Sequence, residues 1–123
     1  MVHLDTDFLI GAIQPGSSEE SKIESWLKAG ESLGISVVAW AEFLCGPLSK
    51  GDERVARQMF QQVEILSVAD ADMAAQLFNK TGRRSRSLPD CMIAATAIRC
   101  GAKLATSNNQ DFRVFATHGL VLA

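Results

Sequence analysis

Several things are scarce in this 123-residue chain, and each scarcity excludes a class of protein. Cysteine occurs three times, at Cys45, Cys91 and Cys100, with no CxxC pair. An odd, scattered set in small or apolar surroundings is no disulfide framework, so the cysteines read as core filler in a reducing cytoplasm. No uncharged apolar run approaches the roughly 18 residues that span a bilayer. Asp5 and Asp7 interrupt the opening before a signal-peptide core can form. Histidine occurs twice, as His3 and His118, without the spacing of a zinc site. There is no internal repeat and no low-complexity tract. The net charge of −2 does not mark the surface as a nucleic-acid binder.

What remains is a chain that is 47% hydrophobic and 21% charged, the balance of one soluble globular domain, 1–123. Short apolar β-branched stretches alternate with amphipathic ones. Residues 2–5, 35–38, 63–68, 103–106 and 119–122 suit strands. Residues 8–13, a segment capped by Ser17 or Ser18, AWAEFLCGP, 52–62, 70–79 and the segment opened by Leu88-Pro89-Asp90 suit helices. On 52–62 the apolar side is Val55, Met59 and Phe60. Alternation of this kind predicts an α/β fold with a central parallel sheet, in which sites form beyond the carboxyl ends of the strands.

The acids are placed oddly for such a fold. Asp5 closes the first strand. Glu42 is the only charge between Glu31 and Lys50, and Asp90 the only acid between Asp72 and Asp111. A carboxylate in a helix's first turn interacts with the helix dipole for about 0.3–1 kcal/mol, which suffices for Asp90 alone. It does not explain Glu42, which has no cation nearby in sequence. Burying it unpaired costs several kcal/mol, so either it faces water or positive charge arrives from elsewhere.

A hard divalent cation answers the puzzle. Two carboxylates at 4 Å repel by about 4 kcal/mol at an effective dielectric near 20. Mg²⁺ or Mn²⁺ takes oxygen ligands and removes that cost, and phosphodiester hydrolysis is the natural chemistry of such a centre.

These residues resemble the PIN-domain ribonucleases, and among them the VapC toxins of toxin–antitoxin pairs. LDTDFLI is similar to the family's first motif and supplies Asp5. VVAWAEFLCG resembles the second, with Glu42. LPDCMIAATAIRCG resembles the third, with Asp90, and KLATSNNQDF the fourth. The resemblance covers nearly the whole chain. It implies a three-layer sandwich with a central parallel sheet flanked by helices. It implies an Mg²⁺- or Mn²⁺-dependent endoribonuclease acting on RNA in the cytoplasm, with Asp5, Glu42, Asp90 and Asp111 as catalytic and metal-binding acids. It also implies a homodimer and a cognate antitoxin whose positive side chain competes with the metal.

The chain departs from the family at the fourth motif. Many members carry an acid where this chain has Asn108, and others carry Asn-Asn with an acid three residues later, here Asp111. Which of the two serves the fourth position is open, as is whether one metal ion or two are bound. Thr6 and Asn108 are expected to support the site by hydrogen bonds. Asp7 stands where the family usually has asparagine and reads as a helix N-cap or a supporting group. The run KTGRRSR, alone, is a solvated loop; beside an acidic site, Arg83, Arg84 and Arg86 become candidates for holding RNA phosphates. Trp26 and Trp40 read as core or dimer packing ahead of base stacking.

Two other functions fit parts of the sequence. Asp5-Thr6-Asp7 is the Asp-x-Asp of an aspartate-nucleophile phosphatase, but Leu9 stands where that class needs Thr or Val. A catalytically weak PIN-like module acting through protein–protein binding fits Asn108.

Overall fold

In a computed structural model, residues 1–83 and 87–123 are described. Five strands form one parallel sheet: β1 (Val2–Leu4), β2 (Leu33–Ser36), β3 (Val63–Glu64), β4 (Lys103–Ala105) and β5 (Val121–Leu122), in the order β3-β2-β1-β4-β5. Parallel pairing requires a crossover between successive strands, and helices supply it. These are α1 (Thr6–Ala12) and α2 (Ser18–Lys28), then α3 (Val37–Leu44) and α4 (Lys50–Met59), then α5 (Val68–Lys80) and α6 (Leu88–Arg99), then a short α7 (Asn109–Phe112) running into a 3-10 helix, Arg113–His118. The expected α/β sandwich with a parallel sheet is the fold observed.

The order of strands fixes where a site can form. From β1 the chain builds outward through β2 to β3, then returns to the other side of β1 with β4 and β5. The direction therefore reverses between β1 and β4, and the crevice outside their carboxyl ends is the switch point of the sheet. Val2, His3 and Leu4 pair in register with Lys103, Leu104 and Ala105. The residues that follow, Asp5 and Thr106, emerge side by side.

The core is continuous across the sheet, with Leu4, Leu9, Ile35, Phe43, Ile93, Leu104, Phe112 and Phe115 almost fully enclosed. α6 is its central helix. Cys91, Ile93, Ala94, Ala95, Thr96 and Ala97 are all buried, and this near-continuous burial explains a sequence with little amphipathic contrast. Its small residues let α5 and the sheet approach closely. Gly34 has a similar task on β2: a Cβ there would lie 2.7 Å from Cδ2 of His3. His3 is itself buried, and among the described residues neither of its ring nitrogens has a hydrogen-bond partner. Burial holds its pKa below the ordinary value, with the nearby charges of Glu64, Arg99 and the amino terminus as smaller influences.

Several element boundaries differ from the sequence expectation, for one recurrent reason. Side-chain oxygens start helices earlier than hydropathy suggests. Asp5 leaves β1 and caps α1, accepting from the Thr6 N–H, so the helix begins two residues before Phe8 and Asp7 falls inside its first turn instead of capping it. Ser36 ends β2 and caps α3, which makes Val37 and Val38 helical despite their β-branched side chains. Ser49 starts α4 at Lys50, and that helix stops at Met59. Ser67 and Asp70 form a reciprocal capping box, so α5 begins at Val68 and β3 keeps only Val63 and Glu64 of the six strand residues expected there. Ser17, one of the two candidates, caps α2.

Side-chain placement also corrects details. Ala56 faces the core from α4, whereas Val55 points outward. Of the three free cysteines only Cys91 is buried, while Cys45 is exposed. Trp26 stacks on Phe8 and Trp40 on Phe43, each with ring centroids 5.6 Å apart, in keeping with a packing role. Among the described residues no helix is long and apolar enough to cross a membrane.

Candidate active site

Asp5 stands at the switch point and is 6% exposed. The Thr6 N–H donates to its Oδ1 at 2.8 Å, and the Thr106 hydroxyl donates to its Oδ2 at 2.9 Å. Both bonds favour the charged form. Burial outweighs them and, with the charges of Asp7 and Glu42, pushes the Asp5 pKa up to about 6.

Asp90 lies half-buried in the first turn of α6. Burial is again the main influence, followed by the charges of Asp5, Glu42, Asp111 and Asp7, and its pKa is also pushed up to about 6. A dipole interaction of 0.3–1 kcal/mol corresponds to less than one pKa unit, in the opposite direction. The helix dipole at Asp90 is therefore outweighed by burial together with the charges of the other acids.

Those acids arrive from separate parts of the fold. Glu42 extends from α3 and is exposed, so water solvates it and the burial cost raised by the sequence does not arise. The Thr6 hydroxyl lies 3.0 Å from its Oε1 and 3.3 Å from the Ala39 carbonyl, two alternative acceptors. Asp111 is exposed on α7 and accepts from the Asn108 side-chain amide at 2.7 Å. The Asn108 backbone N–H donates in turn to the Thr106 hydroxyl at 3.0 Å. A chain of hydrogen bonds thus runs from Asp111 through Asn108 and Thr106 to Asp5, then through Thr6 to Glu42. Asn108 and Asp111, rivals for one position in the sequence, are bonded to each other. Asp7 is exposed and adds its charge to the field at both Asp5 and Asp90.

A hollow of about 330 Å³ opens beside this network, lined by Asp90 and Asp111 together with Thr81, Ser87, Gln110, Val114 and Phe115. Asp5 and Glu42 are not among its lining residues. Among the described residues no three His, Cys, Asp or Glu side chains form a ready-made metal cluster.

The arginines are placed differently. Arg83, in the left-handed region at φ 55°, donates to Asn79 Oδ1 at 2.5 Å and lies 5.6 Å from the centre of the Phe78 ring. Its guanidinium is folded back on the end of α5. Arg84 and Arg86 lie outside the described residues.

Thr106 is the site residue that sequence reasoning missed. The available signal was positional: it follows β4 as Asp5 follows β1, and those strands are neighbours. Thr81, Gln110 and the apolar Val114 and Phe115 carried no comparable signal, because the hollow forms only when α5, α6 and the segment after β4 come together.

The geometry defines a class: a doubly wound parallel α/β protein with converging carboxylates at its switch point. Comparison with known proteins gives the family. The PIN domain profile matches residues 2–117, and the chain belongs to the PIN domain family. Among solved structures it is similar to VapBC2 from Rickettsia felis bound to a promoter DNA fragment, with a TM-score of 0.75 and 23% identity, covering 100% of this chain and 98% of the other. A toxin–antitoxin complex from Klebsiella pneumoniae matches with a TM-score of 0.71 and 25% identity, over 91% of this chain and 90% of the other. VapC20 of Mycobacterium tuberculosis, described as a toxin that cleaves the sarcin–ricin loop, matches with a TM-score of 0.69 at 14% identity, covering 100% and 98%.

Proposed function

We propose that this PIN-domain protein is a divalent-metal-dependent endoribonuclease, the toxin of a toxin–antitoxin pair, acting in the cytoplasm. What supports the reading is that burial and the charges of neighbouring acids raise Asp5 and Asp90 to about pKa 6, and that hydrogen bonds through Thr6, Thr106 and Asn108 link Asp5 to Glu42 and Asp111. Carboxylates whose charged forms are disfavoured in this way would gain from a bound cation.

The donor set suits Mg²⁺ or Mn²⁺. It is all oxygen, and Mg²⁺ commonly keeps several waters while using only one or two protein carboxylates, so a pre-gathered cluster of three is not required. Asp5 and Asp90 would hold the ion, with Glu42 and Asp111 on its hydration shell. When bound, the ion lowers the pKa of its water, polarises the phosphoryl oxygen and steadies the leaving alkoxide.

The chain's own residues supply orientation. Thr6 and Thr106 each fix one oxygen of Asp5 and leave each oxygen a further lone pair for the site. Asn108 steers Asp111 while its backbone braces Thr106. An acidic crevice repels RNA, so cations would be needed to hold the phosphates; Arg84 and Arg86 are candidates on the sequence alone, and Arg83 would have to leave Asn79 to join them. The likeness to a toxin–antitoxin complex from Klebsiella pneumoniae supports a cognate antitoxin as partner; the nuclease unit is proposed to be a homodimer.

The test is incubation of purified, antitoxin-free protein with total RNA, with and without Mn²⁺, followed by mapping of cut sites. Discrete Mn²⁺-dependent cuts that vanish in Asp90→Asn are expected. Intact RNA under both conditions, with the protein folded, would leave a binding module instead.

A further inference from the structure

The hollow beside Asp90 and Asp111 has chemistry that the metal reading does not use. We propose that it seats one nucleobase of the RNA strand and that Gln110 reads the hydrogen-bonding edge of that base. This rests on the ribonuclease reading above.

The lining argues for the ligand. Asp90 and Asp111 on the rim make the metal-free hollow a poor seat for an anion and leave an uncharged group as the better fit. Val114 and Phe115 give it an apolar side, suited to the face of a ring. Val114 is 47% exposed, so that surface is open to a ligand, whereas Phe115 is anchored in the core. Gln110 is exposed, and among the described residues its side-chain amide has no hydrogen-bond partner, which leaves a donor and an acceptor free side by side. The Thr81 hydroxyl already donates to the Leu77 carbonyl at 2.7 Å, so toward the hollow it offers an acceptor. An apolar face with a mixed polar edge is the chemistry of an uncharged heteroaromatic base, and unstacked single-stranded bases are read in this way. A volume of about 330 Å³ is at the small end of ligand sites, room for one base and part of its sugar. The neighbouring acids, where the phosphate would react, set that base next to the scissile bond.

The pocket is tested without relying on cleavage. Isotope-labelled wild-type protein is titrated with each of the four neutral ribonucleosides, without metal, while the Gln110 side-chain amide and the Val114 methyls are followed by NMR. One or two nucleosides should shift these signals. Gln110→Ala should weaken that binding about tenfold, because a site built to bond a polar edge loses most of its selectivity with the bond. Val114→Arg, which fills the space, should abolish it. No shift with any nucleoside, or binding undiminished in Gln110→Ala, would overturn the proposal. Mapped cut sites give an independent readout. A base preference beside the cut that flattens in Gln110→Ala supports the pocket, and one that persists contradicts it. Uncut RNA together with intact nucleoside binding would refute the ribonuclease reading while upholding the base pocket.

Discussion

The two ends of α6 solve the same electrostatic problem in opposite ways. At its last turn, Arg99 donates from Nε to the buried Asp70 at 2.8 Å, reaches the Ile65 carbonyl at 3.2 Å and lies 3.6 Å from Glu64. Burial alone would raise the Asp70 pKa, but the Arg99 guanidinium and the Ser67 bonds outweigh it and hold that carboxyl below its ordinary value. At the first turn, burial and then the charges of Asp5, Glu42, Asp111 and Asp7 raise the Asp90 pKa. One end is a satisfied structural knot tying α5, α6 and the β3 edge together. At the other, Asp5 and Asp90 are both held above their ordinary pKa, a cost that a bound cation would relieve.

The largest expected difference between the two ends is functional. Asp90→Asn or Asp5→Asn should reduce RNA cleavage to background while leaving the metal-free fold as stable as wild type or more so, measured by thermal melting. Arg99→Met should do the reverse: about 2–3 kcal/mol of stability lost through the stranded Asp70 charge, read from urea midpoints, with the acidic site still assembled. Wild-type cleavage in Asp90→Asn would remove that residue from the mechanism.

The pH dependence separates the ends next. Asp5 and Asp90 have folded pKa values near 6, above their unfolded values near 3.8, so the folded state binds protons more tightly in that window. Metal-free stability should therefore rise as pH falls from 7 toward 4. Asp70 has the opposite shift; its contribution is present above its unfolded pKa and is lost as pH falls through the lower folded value. Melting temperature should thus peak in mild acid and drop below about pH 4. In Asp5→Asn/Asp90→Asn the rise should flatten and the acid-side drop remain. A profile unchanged by the double substitution would mean that the two acids do not carry the raised pKa values described.

The smallest effect belongs to Thr106. Thr106→Val removes one donor from Asp5, worth about 1 kcal/mol, and should raise the Asp5 pKa further. Cleavage should slow and its acid limb move to higher pH. Thr106→Ser should restore both, which a purely packing role would not.

The same contrast explains what could be read from the sequence. The unpaired acids were legible because each is alone in apolar company: Glu42 within VVAWAEFL, Asp90 opening CMIAATAI. Alternation of short strands and helices was enough for the parallel sheet. The Asp70–Arg99 pair was not legible, since its members are 29 positions apart and become neighbours only when α5 packs on α6. Val37 and Val38 read as strand because local propensity does not register that Ser36 caps a helix there. The hollow belongs to tertiary adjacency, which no spacing in the chain encodes, and Thr106 could be placed only once β1 and β4 are known to be neighbours.

If Asp5 and Asp90 hold a hard cation, calorimetric titration with Mn²⁺ should show binding at pH 7 that weakens as pH falls through about 6 and is lost in Asp5→Asn/Asp90→Asn. Equal Mn²⁺ affinity in the wild type and the double variant, or no binding to the folded wild type at pH 7, would contradict that assignment.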